Sequence, residues 1–337
     1  MSCTPRAALT RRAALALGTA GLASPLAAPL ATPALGQAPW PNRPVTLVVG
    51  FPPGGQTDFA ARVLQNGLQQ ALGQPVVIDN RGGAGGNLGT ETVLRAKPDG
   101  YTLLVGNANP IVINPHTMPS MKINPMELVP IGMMLQSGLI FCLHPSVPAT
   151  TVAEFAAWAK TQKGDVDYGS ASSGSLSHVA MELFRSRIGG PEMTHVPYRG
   201  SGPAMQDFIA GRFQIMCDAA SVVAPFIEAK QLRGLMATTA ERIPAFKDIP
   251  TAAEQGVPDF VVLAWIGLFG PKGTPPEIVQ RANAAVNQAC ADAAIRQNIT
   301  SRGDEPGGGT PEQLGEIMRR DHARWGEVVR ANNIRAE

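Results

Sequence analysis

The feature of this sequence that most limits its fold is the alternation of short apolar, β-branched runs with longer amphipathic runs. Strand-like runs lie at residues 45–51, 75–79, 102–106, 139–143, 166–168, 194–196, 213–216, 232–238 and 260–269. Helix-like runs lie between them at 58–72, 90–96, 152–162, 175–187, 203–210 and 222–229. This alternation predicts an α/β fold, in which parallel sheets carry helices on both faces.

Three further segments carry a helix-start signal, a threonine followed three residues later by Glu or Gln. They are Thr151 with Glu154, Thr274 with Glu277, and Thr310 with Gln313. This spacing is typical of a capping box, in which two side chains satisfy free backbone N–H groups. The last two signals open long C-terminal helices, to which we assign packing and no chemistry.

The N-terminus has the layout of an export signal. Arg11 and Arg12 precede a segment rich in Ala, Leu and Gly, and residues 1–38 as a whole are predicted to be a signal peptide. The paired arginines resemble the twin-arginine export type, and an ordinary Sec signal is the alternative. Pro25, Pro29 and Pro33 argue against a membrane-spanning helix in this segment.

Composition narrows the class of protein further. Removing residues 1–36 changes the balance from 28 basic and 26 acidic residues to 25 and 26, which argues against a nucleic-acid surface. About 300 remaining residues exceed one typical core, so two domains are expected. Cys142, Cys217 and Cys290 show no CxxC spacing and are expected to be buried free thiols, although a Cys142–Cys217 pair stays open.

The usual signatures of catalysis, metal binding and nucleotide binding are missing from the sequence. There is no HExxH motif, no GxSxG motif and no Walker loop, and no two histidines lie three or four residues apart. The glycine-rich loop fails the dinucleotide pattern because Leu88 stands where a glycine is required. A hydrolase that uses Ser175 and His178 remains an alternative, but three residues apart on one helix is poor geometry for such a pair.

Three predicted helix N-termini follow small polar segments, at residues 51–58, 168–175 and 198–203. The first turn of a helix has N–H groups without acceptors, and the helix dipole adds roughly 0.3–1 kcal/mol for an anion placed there. Open parallel sheets bind ligands at the carboxyl ends of their strands. The three segments together therefore predict a cleft that binds an anion.

Several strings resemble one known family over almost the whole chain after the leader. They are TLVVGFPPGGQTDFAAR, VVIDNRGGAGGNLGTE, KPDGYTLLVGN, YGSASSGSLSH, VPYRGSGPAMQDFIAGR and IPTAAEQGVPDF. They are similar to the receptors of tripartite tricarboxylate transporters, extracytoplasmic solute-binding proteins that are also called the Bug family. Gly50 and Gly82 depart from the pattern, because many members have proline at these two positions.

The resemblance implies a type II periplasmic binding protein, with two α/β domains, a hinge and a ligand cleft between the domains. Domain 1 would comprise residues 39–138 plus 264–337, and domain 2 would comprise residues 139–263. The two crossings would lie near Gly138 and Trp265. The protein would be a monomer in the periplasm, with no cofactor and no metal, and it would not be an enzyme.

The resemblance also implies which residues bind the ligand. In relatives, backbone N–H groups, hydroxyls and water hold the carboxylate. The residues carried over by motif are Phe51, Pro53, Gly54, Gly55 and Thr57 on one wall, Ser170, Ser172, Ser175 and His178 on the other, Asp218, Ala219 and Ala220 closing the pocket, and Asn107 at a strand end.

Two charged residues near this cleft have more than one interpretation. Asp58 either fixes the loop through a hydrogen bond or binds the amine of an amino-acid ligand. Arg199 either contacts the ligand or is a solvated loop residue.

The predicted function is capture of a small organic carboxylate and its delivery to the membrane permease subunits of a tripartite tricarboxylate-type transporter. A sensor that presents the same ligand to a membrane signalling protein is the alternative. Tricarboxylates, dicarboxylates, aromatic acids and amino acids all remain open as ligands.

Overall fold

The computed structural model describes residues 40–331 and 334–336, so the predicted leader at 1–38 lies outside the described residues. The strands are β1 (Val45–Val49), β2 (Val76–Asn80), β3 (Thr102–Asn107), β4 (Val129–Leu143), β5 (Asp167–Ser170), β6 (Thr194–Pro197), β7 (Ile215–Ala219), β8 (Arg233–Ala237), β9 (Leu263–Gly270) and β10 (Asp304–Gly308). The α-helices are α1 (Gln56–Leu72), α2 (Asn87–Leu94), α3 (Asn114–Thr117), α4 (Val152–Thr161), α5 (Leu176–Arg187), α6 (Ser201–Ile209), α7 (Ala220–Glu228), α8 (Pro276–Ala291), α9 (Ala293–Ser301) and α10 (Pro311–Ala331).

The strands form one mixed sheet. Its order is β2-β1-β3-β9-β4-β7-β5-β6, and β8 and β10 each pair with β4. The prediction of an α/β fold is therefore confirmed. The predicted parallel pairing forms between β1 and its neighbours β2 and β3, and between β5 and its neighbours β6 and β7. It is wrong for β4 and β9, because β9 is antiparallel to β3 and every partner of β4 is antiparallel to it.

Strand β4 links two parts of the molecule. Its residues up to Gly138 pair with β9 and β10, and its residues from Leu139 pair with β7 and β8. We call the part built on β1, β2, β3, β9 and β10 the first lobe, and the part built on β5 to β8 the second lobe. The change of partners falls at the position predicted for one crossing, while the domain limits themselves stay a prediction.

Two of the three helix-start signals form as predicted. Thr151 and Glu154 make a complete capping box at α4, and Thr310 and Gln313 make the same exchange at α10. The prediction for Thr274 is wrong, because its hydroxyl donates to Pro271 O and Pro275 occupies the cap position of α8. A proline-rich turn competes here with the capping box.

Clusters of buried apolar side chains pack the helices against the strands. In the first lobe, Leu64 and Leu68 of α1 pack with Leu47 of β1 and Val286 of α8. A larger cluster runs from Trp325 of α10 to the second lobe. Burying each such side chain contributes roughly 1.5–3 kcal/mol. Cys142, Cys217 and Cys290 are buried and free, as expected.

Candidate ligand cleft

A cavity lies between the two lobes at the carboxyl ends of β3 and β7. The first lobe lines it with Phe51, Gly55, Gln56, Thr57, Asn107, Ala108 and Asn109, and β9 adds Ala264 and Trp265. The second lobe lines it with Leu139, Ala171, Leu176, Ser177, Ser201, Asp218 and Ala219. Among these lining residues, all of them in the described part of the chain, none is Arg, Lys or His. Any anion bound here would therefore be held by dipoles and not by a cation.

The N-terminus of α1 supplies such dipoles. Strand β1 ends at Val49, and the chain turns through Gly54, which has a φ of +94° that only glycine adopts readily. Gly55 occupies the cap position without a side-chain hydrogen bond. The N–H groups of the first turn, including those of Gln56 and Thr57, have no acceptor within the helix. They lie at the cavity and can donate to a carboxylate.

Asp58 fixes the loop before α1. Its carboxylate accepts hydrogen bonds from Gly54 N (3.1 Å), Arg62 Nε (2.9 Å) and Asn80 Nδ2 (3.0 Å). Burial raises the pKa of Asp58, but these donors outweigh it and hold the pKa below its usual range. This geometry matches the loop-fixing interpretation of Asp58, since both carboxylate oxygens already have protein donors.

Two asparagines lie at the carboxyl end of β3. Asn107 donates to Thr57 Oγ1 (3.0 Å) and accepts from Asn109 N (3.1 Å). Asn109 accepts from Leu176 N of the second lobe (2.8 Å), so it joins the lobes at the cavity. The sequence analysis named Asn107 and missed Asn109, although both stand in the same short segment after a predicted strand.

At the N-terminus of α5, the polar groups already form hydrogen bonds with other groups of the protein. Ser175 Oγ is the cap and accepts from His178 N (3.3 Å), and Ser177 Oγ accepts from Ala171 N (3.1 Å). His178 Nδ1 accepts from Gly174 N (2.9 Å), so this ring nitrogen is not available as a base for Ser175. Little donor capacity remains here for a ligand, in contrast to α1.

Behind α5 lies a buried aromatic and polar cluster. The rings of His178 and His195 stack with centroids 3.8 Å apart, and His195 Nε2 lies 2.6 Å from Ser170 Oγ. Burial lowers the pKa of His178, and burial together with His178 lowers the pKa of His195 to about 3. Both rings are therefore neutral at physiological pH.

Asp218 is the ionisable side chain of the cavity lining. Its Oδ1 accepts from Ala219 N (2.8 Å), and its buried Oδ2 has no hydrogen-bond partner among the described residues. Burial raises the pKa of Asp218 to about 6, the Ser201 hydroxyl and the Ala219 N–H lower it, and the charge of Asp304 raises it.

Asp304 and Ser137 hold the helix that follows Asp218. Ser137 Oγ accepts from Ala220 N (3.1 Å), and Asp304 Oδ1 accepts from Ser221 N (3.1 Å). Ser137 Oγ also donates to Asp304 Oδ1 (2.5 Å). The N-terminus of α7 is thus capped by residues of β4 and β10, which sets the position of Asp218 and Ala219.

Trp265 forms an aromatic wall of the cavity. Its indole Nε1 donates to Asp321 Oδ2 of α10 at 2.9 Å, and Arg320 Nε donates to the other oxygen of Asp321 at 3.0 Å. The C-terminal helix therefore orients a cavity residue from outside the cleft.

An outer groove of about 760 Å³ adjoins the cavity and shares Phe51 and Ala171 with it. Pro53, Ser172 and Arg199 line this groove. The cavity itself has a volume of about 50 Å³, which is room for about three or four waters and hence for one carboxylate group. The remainder of a longer acid would extend into the outer groove.

The predicted site residues thus fall into four groups. Phe51, Gly55, Thr57, Asn107, Asp218 and Ala219 line the cavity. Pro53, Ser172 and Arg199 line the outer groove, while Gly54 and Asp58 line another groove beside α7. Ser170, Ser175, His178 and Ala220 are buried and are not part of the cavity lining, and ligand contact by any of these residues stays a prediction.

The described residues contain no cluster of three His, Cys, Asp or Glu side chains that could hold a metal ion. They also contain no helix with the length and apolar character needed to cross a membrane.

Known proteins share this architecture. The sequence profile of the tripartite tricarboxylate transporter family receptors matches residues 60–334. The chain is 35% identical over 316 residues to protein BugT of Bordetella pertussis, covering 93% of this chain and 94% of the relative. The structure of Rpa4515 from R. palustris with adipate is 34% identical with a TM-score of 0.85, covering 88% of this chain and 99% of that one. The structure of MatC from Rhodopseudomonas palustris with bound malate is 32% identical with a TM-score of 0.82, covering 86% and 99%.

The fold and the interlobe cleft define a solute-binding receptor of the periplasmic binding protein type. The chain belongs to the tripartite tricarboxylate transporter receptor family, which comprises solute-binding receptors and not enzymes. The predicted family is therefore confirmed.

Proposed function

We propose that this protein binds a small organic carboxylate in the cavity between its lobes. The observation that carries the proposal is the free N-terminus of α1, which meets a cavity without cationic side chains. Backbone N–H groups can hold a carboxylate without a counter-ion. Two similar proteins were solved with adipate and with malate, which supports the same class of ligand here.

A thermal-shift screen with malate, adipate, citrate, benzoate and glutamate tests this proposal, with calorimetry to confirm each hit. A ligand at one hundred times its dissociation constant adds about 2.7 kcal/mol to the free energy of unfolding. Adipamide is the matched control, because it has the length of adipate without its charge. Stabilisation by adipamide equal to that by adipate, or no stabilisation by any acid, would contradict carboxylate recognition.

We further infer that the receptor is exported to the periplasm, acts as a monomer and delivers its ligand to the permease subunits of the transporter. Family membership and the export-like leader support this inference. Vesicles that contain the membrane subunits should take up the labelled acid only when the loaded receptor is added. Uptake that does not depend on the receptor would speak against delivery.

A further inference from the structure

Asp218 is a carboxyl group in the cleft wall whose role the proposed function does not explain. A cavity that is to bind an anion has a buried carboxyl in its wall and no basic side chain in its lining. One oxygen of this carboxyl, Oδ2, has no partner among the residues that the structure describes. An ionised carboxylate left in this state next to a bound carboxylate would repel it strongly in a low-dielectric site.

We propose that the protein captures its ligand together with one proton, which resides on Asp218 Oδ2 and is donated in a hydrogen bond to a ligand oxygen. The proton comes from solvent, the ligand keeps its charge, and no covalent bond of the ligand forms or breaks. This inference rests on the proposed function. It also defines the ligand group at Asp218 as a hydrogen-bond acceptor, a carboxylate or carbonyl oxygen, and not an ammonium group.

The surroundings of Asp218 favour the protonated form. Burial has the largest effect on the pKa of Asp218 and raises it; the Ser201 hydroxyl and the Ala219 N–H oppose this effect, and the negative charge of Asp304 on β10 adds to it, with a net rise to about 6. Asp304 itself caps α7 and has a pKa raised by burial. The negative charge of the ligand acts in the same direction as that of Asp304, so the pKa of Asp218 is higher in the complex than in the free protein.

The other ionisable groups on the packed elements do not supply a compensating charge. Burial raises the pKa of Cys142 on β4, of Cys217 on β7 and of Tyr168 on β5, so these groups stay neutral. On α5, His178 is neutral and Glu182 is paired with Arg185. Asp207 of α6 accepts from the Tyr198 hydroxyl, and Asp58 of α1 is paired with Arg62.

These charges predict the direction of the pH dependence. Below about pH 6 Asp218 is protonated in the free protein as well, and the affinity levels off. As the pH rises above this value the free protein loses the proton that the complex retains, so the affinity falls by up to about tenfold per pH unit. His195, whose pKa is lowered to about 3, does not titrate in this range, and burial lowers the pKa of His178 as well.

The test is calorimetry of the full-length mature protein with malate, adipate, citrate, benzoate and glutamate at pH 6 and pH 8. Titration at pH 7 in two buffers with different ionisation enthalpies counts the protons taken up. We expect a dissociation constant at least about tenfold larger at pH 8 than at pH 6, and uptake that approaches one proton per ligand.

Asp218→Asn tests the contribution of the Asp218 carboxyl alone. The amide of Asn has nearly the same shape as the carboxyl and donates a hydrogen bond at every pH. This variant should bind with a dissociation constant that changes less than about twofold between the two pH values, and more tightly than wild type at pH 8. Asp165→Asn, the same change at an exposed position, should behave as wild type.

Three results would overturn the inference. They are binding without proton uptake, a pH dependence that persists in Asp218→Asn, and loss of binding in that variant together with a preference for glutamate, which would make Asp218 an acceptor for an ammonium group. If none of the five acids binds at either pH, the proposed function itself fails, and this inference falls with it.

Discussion

The two walls of the cleft differ in how their carboxyl groups are paired. On the first lobe, both oxygens of Asp58 have donors, and Asn107 both donates and accepts within the wall. On the second lobe, Asp218 Oδ2 has no partner in the described part of the chain, and the charge of a second acid, Asp304, raises the pKa of Asp218.

This difference separates two tasks. The first wall is preorganised, so its N–H groups can bind a carboxylate without first being rearranged. The second wall keeps an unsatisfied group whose state changes when the ligand arrives. Affinity would then come mainly from the first wall, and the response to pH and to the ligand's chemistry mainly from the second. The following variants test this division.

The largest effect is expected from Gly54→Val in the first wall. A φ of +94° is unfavourable for Val by roughly 1–2 kcal/mol, so the loop must move and its N–H groups turn away. Losing two hydrogen bonds to a charged group, each worth about 1.5–3 kcal/mol, weakens binding by more than about 100-fold. Calorimetry measures the loss.

Gly73→Val is the control for this change. Gly73 also has a positive φ, +71°, but it caps the far end of α1, where an added Cβ meets no atom within 4 Å. This variant should lose stability to a similar degree and keep its affinity. Equal affinity of both variants would refute the assignment of the loop to the ligand.

Gly202→Ala tests whether the two walls must approach each other. A Cβ on Gly202 at the start of α6 would lie 2.6 Å from Pro53 O of the first wall. The variant should keep the lobes apart and weaken binding by about tenfold or more, as seen by calorimetry, with a larger radius of gyration of the loaded protein in X-ray scattering. Gly315→Ala in α10, where the nearest contact is an ordinary 3.4 Å, should change neither quantity.

Asp321→Leu tests how much stability and ligand affinity depend on the hydrogen bond between Asp321 of α10 and the cavity residue Trp265. The buried indole N–H of Trp265 would lose its acceptor, which costs about 1–3 kcal/mol of stability. Binding should weaken only a few-fold, because Trp265 forms a wall and carries no charge. Chemical denaturation and the tryptophan emission maximum are the readouts. Asp321→Asn retains an acceptor and should recover most of the stability, whereas equal losses in both variants would argue against this role.

Much of the fold could be predicted because its signals are local. The periodicity of β1 and α1 and the threonine caps of α4 and α10 depend on neighbouring residues alone. Strand β10 was missed because its sequence, Asp304–Gly308, is rich in Gly and Pro, and only its pairing with β4 makes it a strand. The first part of β4, residues 129–138, likewise depends on its distant partners β9 and β10.

The candidate site could likewise be predicted only where its signals are local. The α1 N-terminus follows from sequence, because a glycine pair between a strand and a helix leaves N–H groups free. The occupied state of the α5 N-terminus does not, since it depends on Asn109 from the other lobe. Nor does the isolation of Asp218, which results from the distant residues Ser137 and Asp304 that position α7.

The smallest effects are expected at Ser172 and Ser175, which the family resemblance assigns to the same wall of the cleft. Ser175 Oγ caps α5, so Ser175→Ala should cost about 1 kcal/mol of stability, a typical value for a lost N-cap, and change the affinity less than about threefold. Ser172 lines the outer groove, and its buried Oγ has no hydrogen-bond partner among the described residues. Ser172→Ala should therefore leave the stability nearly unchanged and weaken the binding of adipate a few-fold, because adipate is long enough to reach this groove. Denaturation curves measure the stability of both variants, and calorimetry measures their affinity for adipate. The reverse pattern, with affinity lost in Ser175→Ala and stability lost in Ser172→Ala, would place the ligand against α5 and remove the contrast between the two walls.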